Sequence, residues 1–343
     1  MNTVTRVAAF AVSLAGLLAS TPPASADAVA DFYKGRTVTL TIGFAPGGGA
    51  DTFARFLALH LGQHLPGKPT IIIQHMPGAG GLNALNHIHG SGPFDGSRLI
   101  LTSPSHTLAQ VIGSKTVRYD LLKMNTIGTL TRDTSSCAAS GRSGIKSIME
   151  GRDREIIVGA TGRSSSAAQQ SWLLANLLGL KLKVVAGYRG TGPIRLAMET
   201  GEVEVVCAFW ASQALGRQKA DVQSGKLVPI VQMSSKPHPA LGKAPVAYDL
   251  AKNDEDRRTM RVIFGTTELS RPFLAPPGVP ADRVAALRDA FWAAVTSPAA
   301  QADAKRLRII VDPLGWKETV AALQEILGAP RATVERAKKA IGN

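Results

Sequence analysis

Three stretches of this 343-residue sequence offer backbone that could hold an anion. The first is Phe44-Ala45-Pro46-Gly47-Gly48-Gly49, followed by Ala50 and Asp51. The second is Thr161-Gly162-Arg163-Ser164-Ser165-Ser166, and the third Tyr188-Arg189-Gly190-Thr191-Gly192-Pro193. Each leads from a β-rich segment into a helical period, and Ser103-Pro104-Ser105 repeats the arrangement after another strand. Glycine lets the backbone approach a bound group closely. The unpaired N–H groups of a first helical turn point at that group, and the helix dipole favours negative charge. A site of this kind holds a carboxylate with neutral donors and needs no arginine. Charged hydrogen bonds contribute roughly 1.5–3 kcal/mol each, so four or five give about 6–15. Association costs roughly 4–15 kcal/mol. Apolar contact, from Phe44 or Trp210 for instance, must therefore supply much of a micromolar affinity. Asp51 has two readings: a helix N-cap, or a pocket residue selecting a ligand that carries a donor or cation.

Other chemistries lack their residues. The first glycine turn is not G-x-G-x-x-G, and Ile73-Gln74-His75 ends its strand without the acid that would hold a ribose. His60 and His64 stand four apart, but Leu61 occupies the place where a zinc protease motif needs glutamate. Gly162-Arg163-Ser164-Ser165-Ser166 lacks the G-x-S-x-G frame of a nucleophilic serine. We expect no catalytic residue, no metal site and no cofactor.

The positioning elements follow from the hydrophobic period. Val38, Leu40 and Ile42 alternate with threonines as a strand, and Phe53, Leu57 and Leu61 form a helical stripe after the first glycine turn. Residues 70–74 and 98–102 read as further strands, with Pro77-Gly78-Ala79-Gly80-Gly81 opening a helix between them. The pattern restarts downstream, with strands at 155–159, 183–186, 203–209 and 227–233 and a helix over 167–178. Alternating β and α units imply a mainly parallel sheet flanked by helices, and two runs of them imply two α/β lobes. The tail after Pro280 is mostly helical and is expected to return to the first lobe. The divisions predicted are 27–133 with 259–343 for lobe 1, and 134–258 for lobe 2.

Residues 1–26 have a single basic charge, Arg6, an apolar run from Val7 to Leu18, and Ala24-Ser25-Ala26. That is the layout of a secretory leader cleaved after Ala26, with a run too short to span a bilayer. The mature protein is then expected to be soluble and periplasmic. The formal charge of +14 comes from lysines and arginines spread along the chain, with no basic block beside aromatic strands. A positive field drawing anions, or a merely basic surface with no such role, fits this better than nucleic-acid binding. Only Cys137 and Cys207 are present. In an oxidising compartment they can pair, or they can stay as two buried thiols.

Phe44-Ala45-Pro46-Gly47-Gly48-Gly49-Ala50-Asp51, then Pro77-Gly78-Ala79-Gly80-Gly81 and Asp95-Gly96, resemble the opening signature of the Bug family, the extracytoplasmic receptors of tripartite tricarboxylate transporters. Gly187 to Thr191, Gly201-Glu202-Val203-Glu204 and Leu274 to Pro280 resemble later motifs of that family in the same order. The resemblance implies a two-lobe Venus-flytrap fold closing on a small carboxylate: a di- or tricarboxylate, an amino acid or an aromatic acid. It implies a monomer that hands its ligand to a two-component membrane permease, or alternatively to a sensor kinase. Carried over, the ligand-binding residues are Phe44, Ala45, Pro46, Gly47, Gly48, Gly49, Asp51, Thr161, Gly162, Ser164, Ser165, Ser166, Tyr188, Arg189, Gly190 and Thr191. Ser103 and Trp210 join them from the neighbouring strand ends. Three departures bear on the pocket. Ser164-Ser165-Ser166-Ala167-Ala168 stands where the family's second-lobe loop often has more glycine and a following histidine. Glu204 stands where the family usually has aspartate, and Ala208-Phe209-Trp210 where many relatives have an acid.

Overall fold

The computed structural model describes residues 24–234 and 236–342. The leader expected at residues 1–26 lies outside them up to residue 23. The chain begins α1 (Ala24–Tyr33), β1 (Thr37–Ile42), α2 (Gly49–His64), β2 (Thr70–His75), α3 (Leu82–Gly90), β3 (Arg98–Leu101), α4 (Pro104–Val111) and β4 (Asn125–Thr129). It continues as β5 (Ser135–Ser140), β6 (Ile156–Ala160), α5 (Ser166–Leu178), β7 (Leu182–Ala186), α6 (Thr191–Thr200) and β8 (Val205–Trp210). Then come α7 (Ala211–Leu215), α8 (Lys219–Gln223), β9 (Leu227–Met233), α9 (Asp254–Phe264) and β10 (Pro272–Ala275). The last helices are α10 (Ala281–Thr296), α11 (Pro298–Leu307), α12 (Trp316–Leu327) and α13 (Arg331–Ala340).

Two five-stranded sheets result, ordered β2-β1-β3-β10-β4 and β7-β6-β8-β5-β9. In the first, β1 pairs in parallel with β2 and β3. In the second, β6 pairs in parallel with β7 and β8. One strand in each runs against its neighbours: β10 against β3 and β4, and β5 against β8 and β9. These are the strands on which the chain enters a sheet from the other one, which explains the reversal. β1 buries Val38, Leu40, Thr41 and Ile42, as a strand covered on both faces must. β2, at the edge, leaves Ile72 exposed. Helices cover both sheets, giving the two mainly parallel α/β units that the alternating pattern predicts.

The segments that cross between the sheets, residues 130–134 and 265–271, lie side by side. Leu130 N–H donates to the Arg271 carbonyl at 3.1 Å, and Ser270 Oγ donates to the Thr131 carbonyl at 2.9 Å. The tail departs in part from its expected place. α10 packs on α2 and β4, and α12 on β4 and α4, all in the first unit. α13 instead packs on α9 and α5, putting Val334, Ala337 and Ile341 into the second core.

Of the two readings open for the cysteines, the bridge is formed. Cys137 on β5 and Cys207 on β8 face one another in register and are joined by a disulfide. No helix among the described residues is long and apolar enough to cross a membrane.

Candidate functional site

A cavity of about 80 Å³ lies between the two sheets, where loops from both converge. Four helix starts open onto it. α2 begins after Gly48, α4 after Ser103, α5 after Ser165 and α6 after Gly190, and all four of these residues line the cavity. Such starts carry unpaired N–H groups and a positive dipole end. The arrangement therefore suits an anion, as the loop chemistry predicts.

Eleven of the expected residues line this space: Phe44, Ala45, Gly48, Gly49, Ser103, Thr161, Ser165, Ser166, Gly190, Thr191 and Trp210. Pro46, Gly47, Asp51, Gly162, Ser164, Tyr188 and Arg189 do not. Several of these act behind the cavity or at its rim. Asp51 is the third residue of α2 and not its N-cap, because the helix starts at Gly49 with Gly48 as the capping residue. Its carboxylate turns back and accepts the Gly47 N–H at 2.9 Å, Arg55 Nε at 2.9 Å and His75 Nε2 at 2.8 Å. Burial pushes the Asp51 carboxyl up. The bonds from Arg55, Gly47 and His75 outweigh that and hold it below the usual carboxylate range. Asp51 thus shapes the glycine turn without facing a ligand. Tyr188 packs on the second unit's core and donates its hydroxyl to Glu202, away from the cavity.

The two units touch across the cleft. Ala45 N–H donates to the Arg189 carbonyl at 3.0 Å, and Arg217 Nη1 donates to Thr52 Oγ1. Gly162 meets Gly80 so closely that a Cβ on Gly162 would lie 2.9 Å from the Gly80 nitrogen. A Cβ on Gly80 would likewise lie 2.9 Å from the Ser165 nitrogen. Gly162, Ser164 and Arg189 therefore seal the cleft, which is closed.

Two lining side chains of consequence escaped the sequence reading. Gln213, on α7, accepts the Trp210 N–H through Oε1 at 3.0 Å, and its Nε2 faces Gly49. Arg271 ends the second crossing segment and is the one charged side chain in the lining. It adds a charged donor to a site expected to consist mostly of neutral ones. Its guanidinium is buried against the rings of Phe53, at 5.1 Å, and Trp210, at 5.0 Å. Nη1 donates to the Ser270 carbonyl at 2.7 Å, while Nε has no partner among the described residues. Burial pushes Arg271 down to about 10, and nearby Asp133 pushes it up, so it stays charged at neutral pH. Asp133 accepts N–H groups from Thr134 at 2.9 Å and Ser212 at 3.0 Å, and the Ser212 hydroxyl. Burial nevertheless raises its carboxyl. No motif surrounds Ser270-Arg271-Pro272, so only the fold reveals this residue.

Behind the cavity wall His106 is wholly buried on α4. Its Nδ1 accepts the Ser103 N–H at 3.2 Å, fixing the loop that lines the cavity, and Nε2 faces Gly81. Burial pushes His106 down to about 4, so the ring is neutral.

No protein-family model matches the sequence. Among relatives in sequence, a UPF0065 protein of Bordetella pertussis is 24% identical over 281 residues, 80% of this chain and 81% of the relative. BugT of the same organism is 35% identical over 98 residues, 29% of each chain. Among solved structures, the periplasmic binding protein BugD covers 90% of this chain and 98% of its own, with a TM-score of 0.71 and 20% identity. MatC of Rhodopseudomonas palustris, solved with bound malate, covers 89% and 99%, with a TM-score of 0.68 and 22% identity. The fold is that of a periplasmic binding protein.

Proposed function

We propose that this chain, whose sequence relatives and fold are those of the Bug family, is a periplasmic receptor that encloses a small carboxylate between its two units and performs no chemistry on it. The observation that carries this reading is the cavity itself. Four helix N-termini and a buried guanidinium converge on one space closed from both sides. A structurally similar protein is solved with malate, a carboxylate. The receptor would release its ligand to a two-component membrane permease of the tripartite tricarboxylate type.

Because ligand contacts from both units exist together only when the cleft is shut, binding must favour the closed form. Titration calorimetry against a panel of small mono-, di- and tricarboxylates tests the reading. At least one acid is expected to bind with micromolar affinity and without turnover, and a panel with no binder would sink it.

The closed cleft makes a sharper prediction. Gly162 has no positive φ, so alanine fits its backbone, but the added Cβ would press on the Gly80 backbone. Overpacking of this kind costs roughly 1–3 kcal/mol, and here the cost falls only on the closed form. Gly162→Ala should weaken carboxylate binding by roughly 5- to 100-fold and leave the melting temperature of the ligand-free protein unchanged. Equal affinities by calorimetry would show that these glycines do not govern closure.

A further inference from the structure

We propose that Arg271 is the seat of the ligand's carboxylate, and that it selects compact monocarboxylates. This rests on the receptor reading above and deepens it.

The guanidinium is prepared for one partner. The rings of Phe53 and Trp210 both lie within about 5 Å of it and restrict its position. Nη1 is taken by the Ser270 carbonyl. Nε has no acceptor, and Nη2 is aimed at Gly49, lying 3.6 Å from where a Cβ of that residue would be. Nε and Nη2 form one edge of the planar group, the fork that a carboxylate accepts through two parallel hydrogen bonds. Asp133 does not fill it: no acid lies within ion-pair distance of Arg271 among the described residues, and the Asp133 oxygens are held by Ser212 and Thr134. A buried cation left without a close counter-charge is costly, so an entering anion relieves a penalty that the folded protein already bears.

The rest of the cavity sets the size and charge of the ligand. At about 80 Å³ it is small beside the roughly 300–1,000 Å³ of clefts that take drug-sized ligands. Arg271 is its one charged side chain, so a second carboxylate would meet only the partial charges of the helix starts. Facing the helix starts are the carbon surfaces of Phe44, Ala50, Ile194, Val206 and Ala208, which suit a short apolar body. The placement also suits closure. Arg271 belongs to the segment that crosses between the sheets, while Trp210 comes from the second unit and Phe53 from the first. An anion on Arg271 therefore sits where both units meet.

The test is calorimetry on the full mature chain with acetate, propionate, butyrate, succinate, adipate and propionamide. Short monocarboxylates should bind, with propionamide undetectable and succinate and adipate at least ten-fold weaker. Arg271→Met keeps the stem beside the two rings and should lower propionate affinity at least 100-fold while abolishing the preference for acid over amide. Arg271→Lys keeps the charge without the fork and should lose about ten-fold. It decides the matter if the methionine variant fails to fold. A dicarboxylate binding more tightly than every monocarboxylate, or either variant binding propionate as well as the parent, overturns the proposal and leaves the receptor reading intact. A parent protein that binds no carboxylate overturns both.

Discussion

Replacing Cys137 and Cys207 together by alanine is expected to lower the unfolding free energy by about 4 kcal/mol. The bridge closes a loop with a sequence separation of 70. Constraining a loop of that length in the unfolded chain is worth roughly 4 kcal/mol in the chain-entropy account. Both side chains are fully buried, so the lost packing of the two sulfurs adds to this cost in the folded state. The bridge also ties β5, which brings the chain into the second sheet, to β8, whose end presents Trp210 to the cavity. Guanidine unfolding of the oxidised protein and the double variant measures the change. A loss under about 1 kcal/mol would show that native-state packing, and not the cross-link, holds these strands together.

The second large effect is acid sensitivity centred on His106. In the unfolded chain this imidazole takes a proton near pH 6.5, whereas in the folded protein burial delays protonation to about 4. Between those limits the unfolded state binds more protons, so stability falls as the pH falls. The stability is fully present above pH 6.5 and is spent by about pH 4. The whole span amounts to roughly 3 kcal/mol, of which about 2 is lost between pH 7.5 and pH 5. Asp51 and Asp95, both held below the usual carboxylate range, lose their contributions only at lower pH. His106→Gln cannot titrate and should flatten the decline between pH 6.5 and 5. Denaturant unfolding at pH 7.5, 6 and 5 checks this, and identical slopes for parent and variant would remove His106 as the cause.

These groups differ in how visible they are along the chain. The glycine turn at 44–49, the serine loop at 161–166 and the turn at 188–191 could be read directly, and their helix starts do line the cavity. Asp51 was legible as a residue of the first helical turn but not in its role. The sequence does not show that His75 on β2 and Arg55 on α2 would take its carboxylate and turn it away from the cleft. Tyr188 stands outside the cavity lining for a similar reason, since its partner Glu202 lies beyond α6. The reversed strands β5 and β10 have no signal of their own. Their direction follows from the crossing of the chain between sheets, not from any residue in them.

By itself the sequence determined everything that depends on near neighbours: alternating strands, glycine turns, helix starts, and hence two α/β units offering N–H donors to an anion. Backbone conformation and helix polarity are settled within a few residues, so these features survive without knowledge of the fold. Only the tertiary structure decided which of those turns face each other, that Gly80 meets Gly162, and that Arg271 is buried in the cavity lining beside Phe53 and Trp210. Burial and pairing of a charge are sums over segments far apart in the chain, and folding alone brings their terms together.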